Sequence, residues 1–345
     1  MSGERLRLSV VIPCRNEARF IRTCLDSILA SDYPVSHLEI LVVDGLSDDG
    51  TRAVAAEYAA RHPVITVVDN PQRTTPSGLN LGVRRASGDV IVRMDAHAGY
   101  PADYLSRLVA WLERSGADNV GGVLETQPGD DTVMARAIAV GVSHWFGVGN
   151  SYFRIGTREP RWVDTVPFGC FRREVFDRIG MFDEELVRSQ DHEFNLRLIR
   201  SGGRILLAPD VVCRYYARET AAKLARTYFQ YGVFRPLVAR KLGATPTLRH
   251  TVPALFVAGV VGGGALAAWL PVVAVMLTLV LSAYATLAIT ASLGARRRLG
   301  ARGSLALCLV FVTLHASLGA GFIVGLMRLL GKRRGAALAA LPLSR

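Results

Sequence analysis

Residues 252–293 carry no charged side chain. One membrane crossing needs about 20 apolar residues, so a run of this length predicts two helices rather than one. The sequence from Trp269 to Pro271 marks where the pair would turn. Directly after the run comes GARRRLGARG (294–303), with four arginines, and then a third apolar stretch over 304–327, interrupted by His315. Lys and Arg collect on cytoplasmic loops. Two crossings therefore return the chain to the cytosol at 294–303, with the N-terminal part on the same side. This predicts a multi-pass protein of the inner (cytoplasmic) membrane. A third complete crossing would put KRR (332–334) outside, against the same rule, so the third stretch either crosses anyway or is re-entrant.

The charge distribution supports this division. Beyond His250 there are nine Lys and Arg and no Asp or Glu, so that segment supplies nine of the formal +12 charges and leaves +3 for residues 1–250. The basic balance belongs to the flanks of apolar segments. It is not the footprint of a nucleic-acid-binding domain, and no nucleic-acid partner is expected. The five cysteines are odd in number and show no CxxC or metal-ligand spacing, which suits reduced thiols facing the cytosol. The N-terminal apolar run, Leu8 to Pro13, is too short for a secretory signal.

The first half alternates two periods. LSVVIP (8–13), EILVVD (39–44), ITVVD (65–69) and DVIVRMD (89–95) read as strands buried on both faces. Between them lie helical patterns: one capped near Asn16 with Phe20, Ile21, Cys24, Leu25, Ile28 and Leu29 on one side, one after Asp49, and one from about Ser77. The βαβ alternation predicts an α/β domain with a mostly parallel central sheet. Residues 125–165 are less regular and predict loops and short helices. FRREVFDRIG (171–180) and DHEFNLRLIRSGG (191–203) predict two more helices, each stopped by glycine. The basic-aromatic stretch 219–243 predicts one or two amphipathic helices on a membrane surface, or an ordinary solvated helix closing the domain.

Three places carry chemistry. Asp44 ends a strand, where open α/β sheets bind ligands, and its carboxylate accepts hydrogen bonds from a base or ribose; it also serves as an ordinary turn residue. Asp95 and His97 end the next long strand and share a face through its period of two. A carboxylate and an imidazole so placed hold a divalent cation against a diphosphate, or merely terminate the strand. Asp191, in QDHEF, opens a helix as an N-cap or as a general base for an attacking hydroxyl.

Taken in order, VVIPCRNE (10–17), VVDGLSDDGT (42–51), TPSGLNLG (75–82), ASGDVIVRMDAHA (86–98), VPFGCFRREVFDRIGMFDEEL (166–186) and QDHEFNLRLIRSGGRI (190–205) resemble the inverting glycosyltransferases of family 2, with the GT-A fold, over about residues 8–215. The DAHA, GCFRRE and QDHEFN blocks are most similar to the succinoglycan-biosynthesis (ExoA-like) branch. The resemblance implies a donor site at Pro13, Arg15, Glu17, Asp44, Asn80 and Asp95. It also implies Mn²⁺ or Mg²⁺ at Asp95, with His97 in place of the family's second aspartate, and Asp191 as catalytic base. Gln230 and Arg235 would correspond to interfacial, acceptor-side residues of membrane synthases.

The resulting expectation is a GT-A nucleotide-sugar-binding catalytic domain (1–215), an interfacial segment (216–250), two to three transmembrane helices (251–330) and a basic tail (331–345). Such a protein would move a sugar, with a UDP-sugar the first expectation as donor, to a lipid-linked saccharide in extracellular or cell-surface polysaccharide biosynthesis. A processive polysaccharide synthase and a polyprenyl-phosphate glycosyltransferase are the neighbouring readings. A sugar nucleotidyltransferase would want a Gly-rich, Lys-bearing phosphate loop, which residues 8–20 lack. A non-catalytic membrane scaffold would not need Asp44, Asp95 and Asp191 together.

Overall fold

The computed structural model describes residues 5–244 and 247–330. Two compact units emerge: Met1–Glu125 with Gly156–Tyr215, and Thr126–Ile155 with Tyr216–Arg345. The division is not a single cut, because the chain leaves the first unit after Glu125 and re-enters it at Gly156. The expected basic tail lies outside the described residues.

In the first unit the chain runs β1 (Leu8–Cys14), α1 (Ile21–Leu29), a 3₁₀ turn (Val35–His37), β2 (Leu38–Asp44), α2 (Thr51–Arg61), β3 (Ile65–Asp69), α3 (Thr75–Arg85), β4 (Val90–Arg93), β5 (Ala98–Gly99), α4 (Tyr104–Ser115) and β6 (Asn119–Gln127). Helices α5 (Val133–Gly141), α6 (Trp145–Val148) and α7 (Tyr152–Ile155) belong to the second unit. The chain returns as β7 (Arg161–Trp162), β8 (Cys170–Arg172), α8 (Glu174–Ile179), α9 (Gln190–Arg200) and β9 (Ile205–Tyr216).

The strands form one sheet in the order β3-β2-β1-β4-β8-β6-β9-β5, with β7 on β9. β3, β2, β1 and β4 are parallel, in the register Val10↔Ile40 and Val11↔Arg93. These are the strands that the βαβ alternation predicts. From β4 onward the pairing turns antiparallel, as in Val92↔Cys170, so the whole sheet is mixed. Of the antiparallel strands, β5, β7 and β8 are only two or three residues long and carry no periodicity to read. The parallel core is aliphatic: Val10, Val11, Ile12, Ile40 and Val42 are fully buried, each contributing about 1.5–3 kcal/mol relative to exposure. α3 lies close on β1 because Gly82 has no side chain; a Cβ there would fall 2.3 Å from Val11 Cγ1.

Three local expectations change. Asn16 does not cap α1. It holds a left-handed backbone (φ 55°) in the preceding loop, and its side chain bonds Asp48, while the helix begins at Ile21 without a side-chain cap. The segment 171–180 begins as strand β8, and only its second half is helical. The arginine-rich 294–303 is mostly helical, because Arg, Leu and Ala are good helix formers.

The second unit contains α5–α7, then α10 (Ala221–Leu242), α11 (Leu248–Ala267), α12 (Pro271–Gly294) and α13 (Arg296–Leu330), which breaks at Gly300 with φ 71°. α11, α12 and α13 are each long and apolar enough to cross a membrane. The basic-aromatic stretch is one helix, α10, opened by Thr220 accepting from the Lys223 N–H at 3.2 Å. It packs tightly on α13: a Cβ at Gly321 would meet the Phe229 carbonyl oxygen at 2.1 Å. α5 packs on α13 through Ile138, Val142, Leu307, Val310, Phe311 and Leu314. His315 sits between Tyr284 Oη (2.9 Å from Nδ1) and the Phe146 carbonyl (2.8 Å from Nε2). A neutral imidazole protonated at Nε2 satisfies both partners.

Candidate active site

Because β1, β2 and β4 are parallel, their carboxyl ends lie on one edge of the sheet, and the candidate residues of all three meet there. Loops 14–18 and 44–51 are cross-braced along this edge. The Asn16 N–H donates to Ser47 Oγ (2.9 Å), the Glu17 N–H to Thr51 Oγ1 (2.7 Å) and the Ala18 N–H to Asp49 (3.1 Å). Asp44 is fully buried at the end of β2. Its carboxylate accepts from the Ser47 hydroxyl (2.5 Å) and N–H (3.1 Å), and Arg52 lies 3.6 Å away. It thus acts as a turn anchor beneath the loop. Pro13 lies beside Gly78 of α3, and the Arg15 stem packs over Gly45. Arg15 Nε is buried and makes no hydrogen bond.

Asn80 is buried in α3 and its amide is fully engaged. Nδ2 donates to the Phe182 carbonyl (2.9 Å) and Glu184 (2.8 Å), while Oδ1 accepts from the Phe182 N–H (2.9 Å). It fastens the 182–184 segment.

β4 ends at Arg93, short of the expected strand 89–95, so Asp95 and His97 lie past it, with Ala96 and His97 in a turn before β5, and they approach each other there and not on a strand face. His97 Nε2 lies 3.9 Å from Asp95 Oδ2, and its Nδ1 lies 3.2 Å from Glu17 Oε1. The His97 ring meets Tyr215 edge-on at 5.5 Å. The Asp95 backbone is clamped by Tyr100, whose hydroxyl takes the Asp95 N–H (2.8 Å) and donates to its carbonyl (3.1 Å). Burial holds the Tyr100 phenol well above its ordinary pKa, so it stays neutral.

Among the described residues no three His, Cys, Asp or Glu side chains form a ready-made cation site. The pair nonetheless fits a cation in donor chemistry and spacing. Two ligand atoms each about 2.1 Å from one ion lie at most about 4.2 Å apart. Asp95 and His97 would supply two ligands, and a diphosphate and water the others.

Asp191 lies in the first turn of α9. The N-cap position belongs to Ser189, which is left-handed at φ 65°, and Asp191 instead pairs with Arg93. α9 is seated by an aromatic cluster in which Phe194 stacks on Phe182 (4.4 Å) and meets Phe171 and Phe176 at 5.4 and 5.2 Å. Burial raises the Asp191 pKa; Arg93 pulls it back, Asp95 adds repulsion, and the net shift is upward. Burial opposes the charge on Arg93, but Asp191 and Asp95 outweigh it and hold the guanidinium charged.

Arg93 is the residue that sequence reasoning passed over, although a charged side chain inside a buried strand is itself a signal. Phe168, which holds a left-handed φ of 48° and presents its ring to Arg93 at 5.8 Å, gave no sequence signal. Gln230 and Arg235 lie on α10 in the second unit, Gln230 buried and Arg235 half-buried.

A family model for glycosyl transferase family 2 matches residues 9–180. The chain is 34% identical to the succinoglycan biosynthesis protein ExoA of Rhizobium meliloti, over 77% of this chain and 80% of that protein. It is 29% identical, over 68% of this chain and 74% of the relative, to the dolichyl N-acetyl-alpha-D-glucosaminyl phosphate 3-beta-D-2,3-diacetamido-2,3-dideoxy-beta-D-glucuronosyltransferase of Methanococcus voltae. Among solved structures, the mannosyltransferase PcManGT of Pyrobaculum calidifontis, in complex with GDP-Man and Mn²⁺, shares the fold with a TM-score of 0.61 at 24% identity. That likeness covers 94% of this chain and 88% of the mannosyltransferase.

Proposed function

Because this chain belongs to glycosyl transferase family 2, we propose that it transfers a sugar from a nucleotide-sugar donor to a lipid-linked saccharide, with inversion at the anomeric carbon. The observation that carries this reading is the meeting, at one sheet edge, of Asp95 and His97 from the segment just past β4 with Asp191 from the start of α9, joined through Arg93.

Pro13, Arg15, Glu17 and Asp44 would line the nucleoside side. Asp95 and His97 would hold Mn²⁺ or Mg²⁺, which when bound neutralises charge developing on the departing diphosphate. Asp191 accepts the proton of the attacking hydroxyl, and its raised pKa makes it a better base than an exposed carboxylate. Direct displacement by that hydroxyl leaves a β-linkage from an α-linked donor. The Methanococcus voltae relative, whose name specifies a 3-beta transfer onto a dolichyl phosphate saccharide, supports both the linkage and the acceptor class. The ExoA relative supports a place in exopolysaccharide synthesis. A UDP-sugar is the proposed donor.

In this reading residues 1–215 are the catalytic domain and 216–250 an interfacial segment with Gln230 and Arg235 toward the acceptor. Helices α11–α13 anchor the protein in the inner membrane with the catalytic domain in the cytosol. Metal dependence tests the site. Transfer should vanish with a chelator and return with Mn²⁺ or Mg²⁺, and His97→Asp should keep substantial activity while shifting preference toward Mg²⁺. Full activity in chelator would refute the cation role of Asp95 and His97.

A further inference from the structure

Arg93 is the last residue of β4, and Asp95 lies two positions past it. Its side chain is only 8% exposed, whereas those of its partners keep 17% (Asp95) and 32% (Asp191) of their surface. The guanidinium is thus the most deeply buried of the three, and both carboxylates keep part of their surface exposed. Each terminal nitrogen serves one partner: Nη2 donates to Asp95 Oδ1 at 2.9 Å, and Nη1 to Asp191 Oδ1. This leaves Asp95 Oδ2 turned to His97. The Arg93 backbone N–H bonds the Gly169 carbonyl (2.9 Å), and the Phe168 ring lies 5.8 Å from the guanidinium.

We propose that Arg93 is a positioning residue, whose guanidinium holds the Asp191 carboxylate at a set place relative to Asp95 so that the base faces the hydroxyl attacking the sugar carbon, whose diphosphate is held on the Asp95 side. This rests on the reading of Asp191 as base and of Asp95 on the donor side. Without the bridge, two carboxylates at one site repel each other and the first turn of α9 loses its tie to β4. A planar fork reaches two carboxylates at once; an ammonium does so only as a point charge, so lysine should replace it in part.

The test is a double-mutant cycle on the full-length enzyme in membranes, using Arg93→Met, Asp191→Asn and both together, with kcat, donor KM and nucleoside-diphosphate affinity in Mn²⁺ measured for each. Arg93→Met should lower kcat by at least about tenfold, yet add little to Asp191→Asn, because residues that act as a unit are not additive. Nucleoside-diphosphate affinity should stay within about threefold, and Arg93→Lys should recover part of kcat. Equal losses in both Asp191 backgrounds, or a loss confined to nucleotide affinity, would overturn the positioning role while leaving the base intact. An Asp191→Asn enzyme as active as wild type would instead remove the base, and Arg93's role with it. If Arg93→Met does not fold, Arg93→Lys carries the same cycle, and additive losses there overturn the proposal.

Discussion

A carboxylate that acts as base must be ionised, so the pH at which Asp191 loses its proton sets the acid limb of turnover. Burial outweighs the Arg93 pairing and raises that pKa. The rate of transfer should therefore fall, as pH decreases, at a value above the ordinary aspartate range near about 3.9. Asp191→Asn should lower kcat by about 10²–10⁴-fold and remove the limb from what activity remains. A pH–rate profile with the limb intact in that variant would contradict the assignment. Asn80 makes a different prediction. With its amide consumed by 182–184, Asn80→Ala should cost about 1–3 kcal/mol of stability, read by thermal unfolding, and change nucleotide affinity less than the loss of Arg15 does. At this scale the sequence was informative on proximity: Asp95 and His97, two positions apart, do approach each other, but past the end of β4 and not on its face, because the strand stops at Arg93. The sequence misplaced Asn16 as a helix cap and did not foretell the partners of Asn80, because Asp48 and Phe182 lie far along the chain.

Elements held by aliphatic pattern were legible: the four parallel strands, α2, α3 and the α11–α12 pair follow from run length and helical spacing. Elements held by tertiary contact were not. β8 is a three-residue strand that exists because β4 and β6 flank it, and the α5–α13 packing joins residues far apart in sequence. The break at Gly300 concerns a single left-handed residue inside an otherwise helical composition. His315 interrupts the third apolar stretch for a reason now visible: it joins α13 to Tyr284 of α12 and to the α6 carbonyl of Phe146. His315→Leu should strand both partners and cost about 1–3 kcal/mol, with Gln recovering part of it. Thermal unfolding in detergent would show this as a lowered midpoint for Leu and a smaller drop for Gln; an unchanged midpoint for Leu would mean the contacts carry no net stability.

For the molecule as a whole, the charge asymmetry and the 252–293 run separate a sheet-bearing unit from a helical one, and both units are present. Composition could not show that residues 126–155, lying between two strands of the sheet, pack with the C-terminal helices; nothing in a polar-apolar count assigns a short helix to one core over another. The proposed topology places the catalytic unit and the arginines at 296–302 on the cytosolic side. A cysteine introduced at the exposed Ala301 should be shielded from an impermeant thiol reagent in intact cells and react once the membrane is opened. Labelling in intact cells would require the spans to be recounted. The central claim, sugar transfer with inversion from a nucleotide-sugar to a lipid-borne acceptor, is tested most directly by product chemistry. The full-length enzyme, with Mn²⁺ and a lipid-linked saccharide, is incubated with a panel of labelled α-linked nucleotide-sugars, and the anomeric configuration of the labelled lipid is read by NMR. A β-linked product formed together with one nucleoside diphosphate per sugar is the predicted result; an α-linked product, or no lipid-linked label from any donor, would contradict it.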